Sequence, residues 1–186
     1  MARGALIGGI VVAVLVMALW AFQRRLIYFP TGDLGPLPPG WIAASVSTSD
    51  DIDLGVWHRA PTEDAPVVIV FNGNAGNRAD RLALGRALGE EGLGVVLFDY
   101  RGYGGNAGAP SESGLALDAA SVSAFARSTY PGSPIVFFGE SLGAAVAVGE
   151  ASVSPPDGMV LRSPFTSLAD AASSNYFGTP LGWLLL

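Results

Sequence analysis

The sequence predicts an α/β protein, a three-layer, mostly parallel sheet covered by helices on both faces, with an antiparallel hairpin on its N-terminal side. The first observation is a set of short apolar runs rich in β-branched and aromatic residues, at 67–71, 94–98, 133–138 and 159–161. The second is that helix-like segments at 78–91, 111–128 and 142–153 alternate with those runs. Strands that are apolar throughout are buried on both faces, as parallel strands between helical layers are. The third is a pair of alternating stretches, 44–48 and 52–59, joined by Ser49-Asp50-Asp51, which read as a hairpin at a sheet edge.

Ahead of these lies an uninterrupted apolar run, 4–22, bracketed by Arg3 on one side and by Arg24 and Arg25 on the other. At 1.5 Å per residue, about 19 residues reach ~30 Å, enough to cross the hydrocarbon core of a bilayer. Residues 1–25 are therefore expected to form a single-pass transmembrane anchor and 26–186 the globular domain. The flanking arginines nearly balance the terminal amine and Arg3, so the side of the membrane is not defined. A cleaved signal peptide is the competing reading, but the run exceeds the usual 7–15 residues and no small-x-small cleavage site follows it. Residues 26–30 continue as an aromatic strip, which fits a headgroup-zone segment, a first strand or a wall of a substrate entrance. Residues 32–40, rich in Gly and Pro, read as a loop.

Half of the residues are hydrophobic and the formal net charge is −6, so nucleic acid is not an expected partner. The chain has no cysteine, which excludes disulfides, thiolate metal sites and a cysteine nucleophile. Its basic side chains are all arginine.

The run 135–138 ends in Gly139-Glu140-Ser141-Leu142-Gly143, and an Ala-rich helical segment follows at once. Strand, tight turn and helix are the context in which Gly-x-Ser-x-Gly presents a nucleophilic hydroxyl. Gly139 and Gly143 remove the Cβ atoms that would collide at so sharp a turn, and the start of the new helix favours developing negative charge. An ordinary glycine–serine turn is the alternative.

The stretch Phe71-Asn72-Gly73-Asn74-Ala75-Gly76-Asn77-Arg78 leaves the first parallel strand. It lacks the Gly-Lys-Ser/Thr ending of a phosphate-binding loop. It suits an oxyanion hole, with one N–H donor at Leu142, directly after the serine, and the other at Asn74. A glycine turn that merely reverses the chain is the competing account. In 99–108 a loose dinucleotide-like glycine pattern is followed by Gly108-Ala109-Pro110 where a helix should begin, so Asp99 and Arg101 are expected instead to pair and fix the loop.

Taken in order behind the N-terminal run, the motifs at 71–78, 99–105, 139–143 and 162–168 resemble the membrane-anchored α/β-hydrolase domain (ABHD-type) serine hydrolases. The resemblance implies the α/β-hydrolase fold, Ser141 as nucleophile, backbone donors at Asn74 and Leu142, and neither a metal nor an organic cofactor. Asn72 stands where that superfamily commonly has histidine, which leaves a backbone oxyanion hole intact. The larger departure concerns the triad, whose order along the chain is Ser, acid, His. No histidine follows Ser141, and the sole one, His58, lies upstream on the hairpin and reads as a surface or sheet-edge residue. Asp157 and Asp170 read as loop or cap residues.

A truncated hydrolase, an inactive descendant and a site completed by a partner all fit. The apolar ending at 181–186 favours truncation after the sixth strand region, with the C-terminal part of the fold missing. The expected function is a membrane-located serine hydrolase of acyl esters or thioesters, on lipids or acylated proteins, with this chain hydrolysing very little. The alternative is a non-catalytic membrane-tethered binding or scaffold domain.

Overall fold

A computed structural model of the chain describes residues 2–165, apart from the side chains at 2–6, 19, 23 and 26. The chain divides into two compact units, residues 29–164 and a second comprising 1–28 and 165–186. In the second, helix α1 (Ala2–Ile27) carries Arg24 and Arg25 in its last turn, where cations complement the helix dipole. Its end is marked by the Tyr28 N–H donating to the Arg24 carbonyl at 2.9 Å.

Among the described residues no helix is long and apolar enough to cross a membrane. This corrects four linked expectations: a membrane-anchored relative, a single-pass anchor over 1–25, a membrane location, and the membrane as a partner through the N-terminal helix. A span needs about 20 consecutive apolar residues, and the described residues do not supply them. The truncation reading is not borne out either, since the apolar stretch 181–186 on which it rests lies outside the described residues, as does Asp170.

The unit 29–164 contains, in order, β1 (Phe29–Pro30), β2 (Ile42–Ser47), β3 (Asp53–Arg59), β4 (Val67–Phe71), β5 (Ala75–Gly76), a short 3-10 turn (Arg78–Arg81), α2 (Leu82–Glu90), β6 (Gly94–Phe98), α3 (Glu112–Thr129), β7 (Ile135–Glu140), α4 (Leu142–Val153) and β8 (Gly158–Arg162). Six of the strands form one mixed sheet in the order β2-β3-β6-β4-β7-β8. Strands β6, β4, β7 and β8 run parallel, while β3 is antiparallel to β6 and β2 to β3.

Strands β4 and β6 are buried at every position, and the pleat sorts their side chains to opposite faces. Val68, Val70, Val95 and Leu97 join Trp41 and Trp57 on one face, packed by Leu82 and Leu88 of α2. On the other, the rings of Phe71, Phe98 and Phe137 meet edge to face, 5.0–5.6 Å between centroids. Helices α3 and α4 pack together, α4 against β4 and β7 and α3 against β4 and β2. Leu115, Ala119, Val122 and Ala126 form the buried stripe of α3 at helical spacing. Each large side chain so buried contributes about 1.5–3 kcal/mol, which fixes the sheet as a rigid platform. The parallel strands end together at Phe71, Phe98, Glu140 and Arg162. This edge is where open α/β sheets gather functional loops.

Candidate active site

Ser141 occupies the junction between β7 and α4 with φ 52° and ψ −115°. A non-glycine residue held there costs about 1–3 kcal/mol and persists only where its surroundings enforce it. Two hydrogen bonds do so: the Ser141 N–H donates to the Arg162 carbonyl of β8 at 2.9 Å, and the Ser141 carbonyl accepts from the Ala144 N–H at 2.9 Å.

The two flanking glycines have separate steric reasons. A Cβ on Gly139 would lie 2.7 Å from Ala144 Cα and 2.8 Å from the Gly143 carbonyl oxygen. One on Gly143 would fall onto the Phe71 carbonyl and stand 2.5 Å from that of Asn72. These obstacles are all backbone, so α4 can begin hard against the end of β4 only if both positions lack side chains.

The glycine loop after β4 passes directly beside the serine. A Cβ on Gly73 would be 3.5 Å from the Glu140 carbonyl oxygen and 3.8 Å from Ser141 Cβ. The loop is tied down on several sides. Asn74 accepts through its carbonyl from the Phe29 N–H at 2.8 Å and from the Tyr103 hydroxyl at 3.0 Å. Asn72 Nδ2 donates to the Phe98 carbonyl at 2.6 Å, which gives this residue a bracing role between two strand ends. A capping box follows: the Ala79 N–H donates to Asn77 Oδ1 and the Asn77 N–H to the Asp80 carboxylate, each at 2.9 Å. Asn77 Nδ2 also reaches Thr31 and the Asp33 carbonyl. The aromatic strip of the sequence contributes here, because Phe29–Pro30 pairs in parallel with Ala75–Gly76.

The fold thus brings Ser141, Leu142, Gly139 and Gly143 together with Gly73, and Asn74 is the next residue of that loop. Leu142 is the first residue of α4, and its N–H belongs to the set at a helix start that has no intrahelical acceptor. Such a constellation can supply a nucleophilic oxygen with backbone dipoles beside it.

The charged residues at the neighbouring strand end pair differently from expectation. Asp99 does not bond Arg101; it accepts from Arg78, at 2.7 Å from the N–H and 2.5 Å from Nη1. Burial is the main influence on its carboxyl and pushes it up to about 6, against the opposing pull of Arg78. Arg101 instead donates to Asp118 of α3 through its N–H, Nε and Nη2, at 2.8–2.9 Å, and to Asp50 of the β2–β3 turn at 2.7 and 3.0 Å. The hydrogen bond from Arg101 is the main cause holding Asp50 below the usual carboxylate range. Both residues lie past the end of β6 at Phe98, in the turn that follows, where the backbone leads each carboxylate or guanidinium to its own partner.

His58 is also corrected. It is buried, not superficial, because β2 rather than β3 forms the sheet edge. Its Nδ1 lies 2.6 Å from the Tyr130 hydroxyl and its ring meets Phe125 edge on. Strands β3 and β7 are three inter-strand spacings apart, about 14 Å, so His58 is not in reach of Ser141. Asp157 accepts from the Ile135 N–H at 2.7 Å, at the far end of β7.

The sequence reading missed Arg81, Glu140 and Arg162. Glu140 and Arg162 are register partners across β7 and β8, and Glu140 Oε2 lies 2.6 Å from Arg162 Nη2 and 3.4 Å from Arg81 Nε. All three sit where a parallel strand ends or its loop turns into a helix, a positional signal present in the sequence.

A family model described as serine aminopeptidase, S33, matches residues 62–184. Among curated proteins, the uncharacterized protein Rv2307c of Mycobacterium tuberculosis is 49% identical over 181 residues, 92% of this chain and 64% of that protein. Lysophosphatidylserine lipase ABHD12 of Rattus norvegicus is 35% identical over 154 residues, 69% of this chain and 39% of the lipase. The chain therefore spans less than two thirds of the length of these relatives. Among solved structures, the Pyrococcus furiosus esterase Pf2001 superposes with a TM-score of 0.66 at 25% identity, covering 86% of this chain and 65% of the esterase. An alpha-beta hydrolase from Vibrio vulnificus gives 0.67 at 19% identity over 78% and 53% of the two chains. The three-layer mixed-sheet architecture is the α/β-hydrolase fold.

Proposed function

The chain belongs to the family described as serine aminopeptidase, S33, and on that premise we propose that Ser141 is the nucleophile of a hydrolase of acyl esters or thioesters. The observation that carries this reading is the strained serine itself, held at positive φ between two glycines whose Cβ atoms would strike backbone, with the Gly73 loop against it. Such a conformation persists only where its surroundings over-determine it, as the hydrogen bonds to Arg162 and Ala144 and the glycine contacts do here.

In the reaction Ser141 Oγ adds to the substrate carbonyl carbon, and the N–H groups of Leu142 and Asn74 receive the developing oxyanion. Collapse breaks the bond to the leaving group, which departs as the alcohol or thiol with the proton given up by Ser141 Oγ, and water then adds to the acyl-serine, releasing the acid and returning a proton to Oγ. Lipid esters are the favoured substrates, by likeness to a lysophosphatidylserine lipase, with acylated proteins second. His58 is not placed to accept the serine proton, so this chain is expected to turn over slowly, since an unactivated serine is a poor nucleophile.

That placement of His58 favours a second reading, a non-catalytic binding domain built on the same fold. A fluorophosphonate probe separates the two. Labelling of the wild type that is lost in Ser141→Ala is the expected result. Equal labelling of both chains, or none of the wild type after prolonged exposure, supports the binding domain and overturns the nucleophile.

A further inference from the structure

Arg81, Glu140 and Arg162 form a charged group on the rim of the Ser141 site that neither the hydrolytic chemistry nor the packing requires. Two guanidinium groups share one carboxylate, so the cluster carries a net positive charge. The ion pairs are close yet misaligned: Arg81 Nε and Glu140 Oε2 are buried without a hydrogen bond of proper geometry. An arginine has five N–H donors, and here much of that capacity is not spent on Glu140. The Arg162 side chain is 56% exposed, with its guanidinium carbon 5.7 Å from the centroid of the Phe138 ring. Stacking on an aromatic face holds a guanidinium in place while leaving its edge open to a ligand.

Position connects this charge to the serine. The point where a Gly73 Cβ would lie is 3.9 Å from Arg81 Nη2 and 3.8 Å from Ser141 Cβ. Arg81 therefore stands just across the glycine loop from the nucleophile. Arg162 approaches from the opposite strand, and its own carbonyl holds the Ser141 N–H. A substrate carbonyl at Ser141 would have a cationic rim within a few bonds of it.

We propose that Arg81 and Arg162, spaced and oriented by Glu140, form an oxyanion-binding subsite that selects substrates carrying a phosphate or carboxylate close to the scissile acyl bond. The inference rests on the hydrolase reading for its substrate and sharpens it. Guanidinium groups bind such oxyanions through paired N–H donors, which a neutral hydroxyl headgroup cannot match. Glu140 is a positioning residue: it keeps the two cations from repelling each other apart and leaves the pair one charge in excess.

The test compares two ligands of the same acyl chain, a monoacylglycerol phosphate and the uncharged monoacylglycerol, as protectors of Ser141 against a fluorophosphonate probe. The phosphate is expected to protect at roughly ten-fold or more lower concentration. Arg81→Gln and Arg162→Gln are each expected to shrink that ratio several-fold, and the double variant to bring it close to one. Raising salt should act in the same direction. Equal protection by the two ligands, or a ratio untouched by both substitutions, overturns the subsite. Inorganic phosphate is the third arm: if it competes as well as the lipid phosphate, the subsite reads the free anion and not an ester substrate, which overturns the proposal as stated.

If the wild type is never labelled, the nucleophile reading fails. The subsite is then judged by calorimetric titration of the same ligands into the Ser141→Ala chain and its Arg81→Gln, Arg162→Gln counterpart. A phosphate preference in the first that is absent from the second sustains it, and equal binding overturns it.

Discussion

The carboxyl ends of β6 and β7 lie on one edge of the sheet with β4 between them, and they use arginines and carboxylates in opposite ways. After β6, Arg101 is 7% exposed and shares its donors between Asp118, fully buried, and Asp50, so the loop is locked to a helix and a hairpin. After β7, the arginines are less buried, their contacts with Glu140 are misaligned, and the backbone between them is strained. At the first end the Arg101 donors are spent inside the fold. The second has donors and strain left over. What distinguishes a binding rim from a structural clamp here is how much hydrogen-bonding capacity remains, not how many charges are present.

The largest effect that would test the contrast is at the closed end. Asp118→Ala leaves Arg101 buried beside a single exposed partner and is expected to cost about 3–5 kcal/mol in denaturant unfolding. A loss under about 1 kcal/mol would mean that the clamp is not structural. Next comes Gly143→Ala, which sets a Cβ against the end of β4 and is expected to cost about 2–4 kcal/mol while abolishing probe labelling. At the open end the sign reverses for Ser141→Gly. Glycine accepts positive φ freely, so this change is expected to leave stability unaltered or raise it by up to about 1 kcal/mol. Arg162→Gln should change stability by less than about 1 kcal/mol, as a half-exposed ion pair does, although it weakens the phosphate preference.

The pH dependence supplies the smallest test. Burial lowers His58 below its ordinary value. Below about pH 6.5 the unfolded chain takes up a proton that the folded chain refuses, so this group's contribution to stability falls as pH drops from 7 toward the folded value. His58→Gln is expected to flatten the unfolding midpoint against pH between 7 and 5. An unchanged slope would mean that the buried imidazole is not the group titrating.

The strands of the sheet were legible because fully buried parallel strands announce themselves as continuous β-branched runs, and the strand–turn–helix at 139–143 because a turn that tight needs glycine on both sides of Ser141. The side-chain pairings were not. Asp99 and Arg101 are close in sequence, yet the turn after β6 leads them to separate partners on the 3-10 turn and on α3. His58 was misplaced because an edge assignment depends on which strand lies outermost, and Ile42–Ser47 took that place. The rim of Arg81, Glu140 and Arg162 is assembled from positions far apart in the chain, and only the strand order brings them together. The apolar N-terminal run was read as a span, whereas the described residues do not supply the about 20 consecutive apolar residues that one needs.

The peptide of Ser141 hangs from a neighbouring strand, since its N–H is held by the Arg162 carbonyl. The aim of the hydroxyl is therefore coupled to the last rung between β7 and β8. Deuterium uptake at that one amide would report the fraying of β8, and any ligand that clamps Arg162 would slow it, giving a readout of readiness that needs no turnover at all.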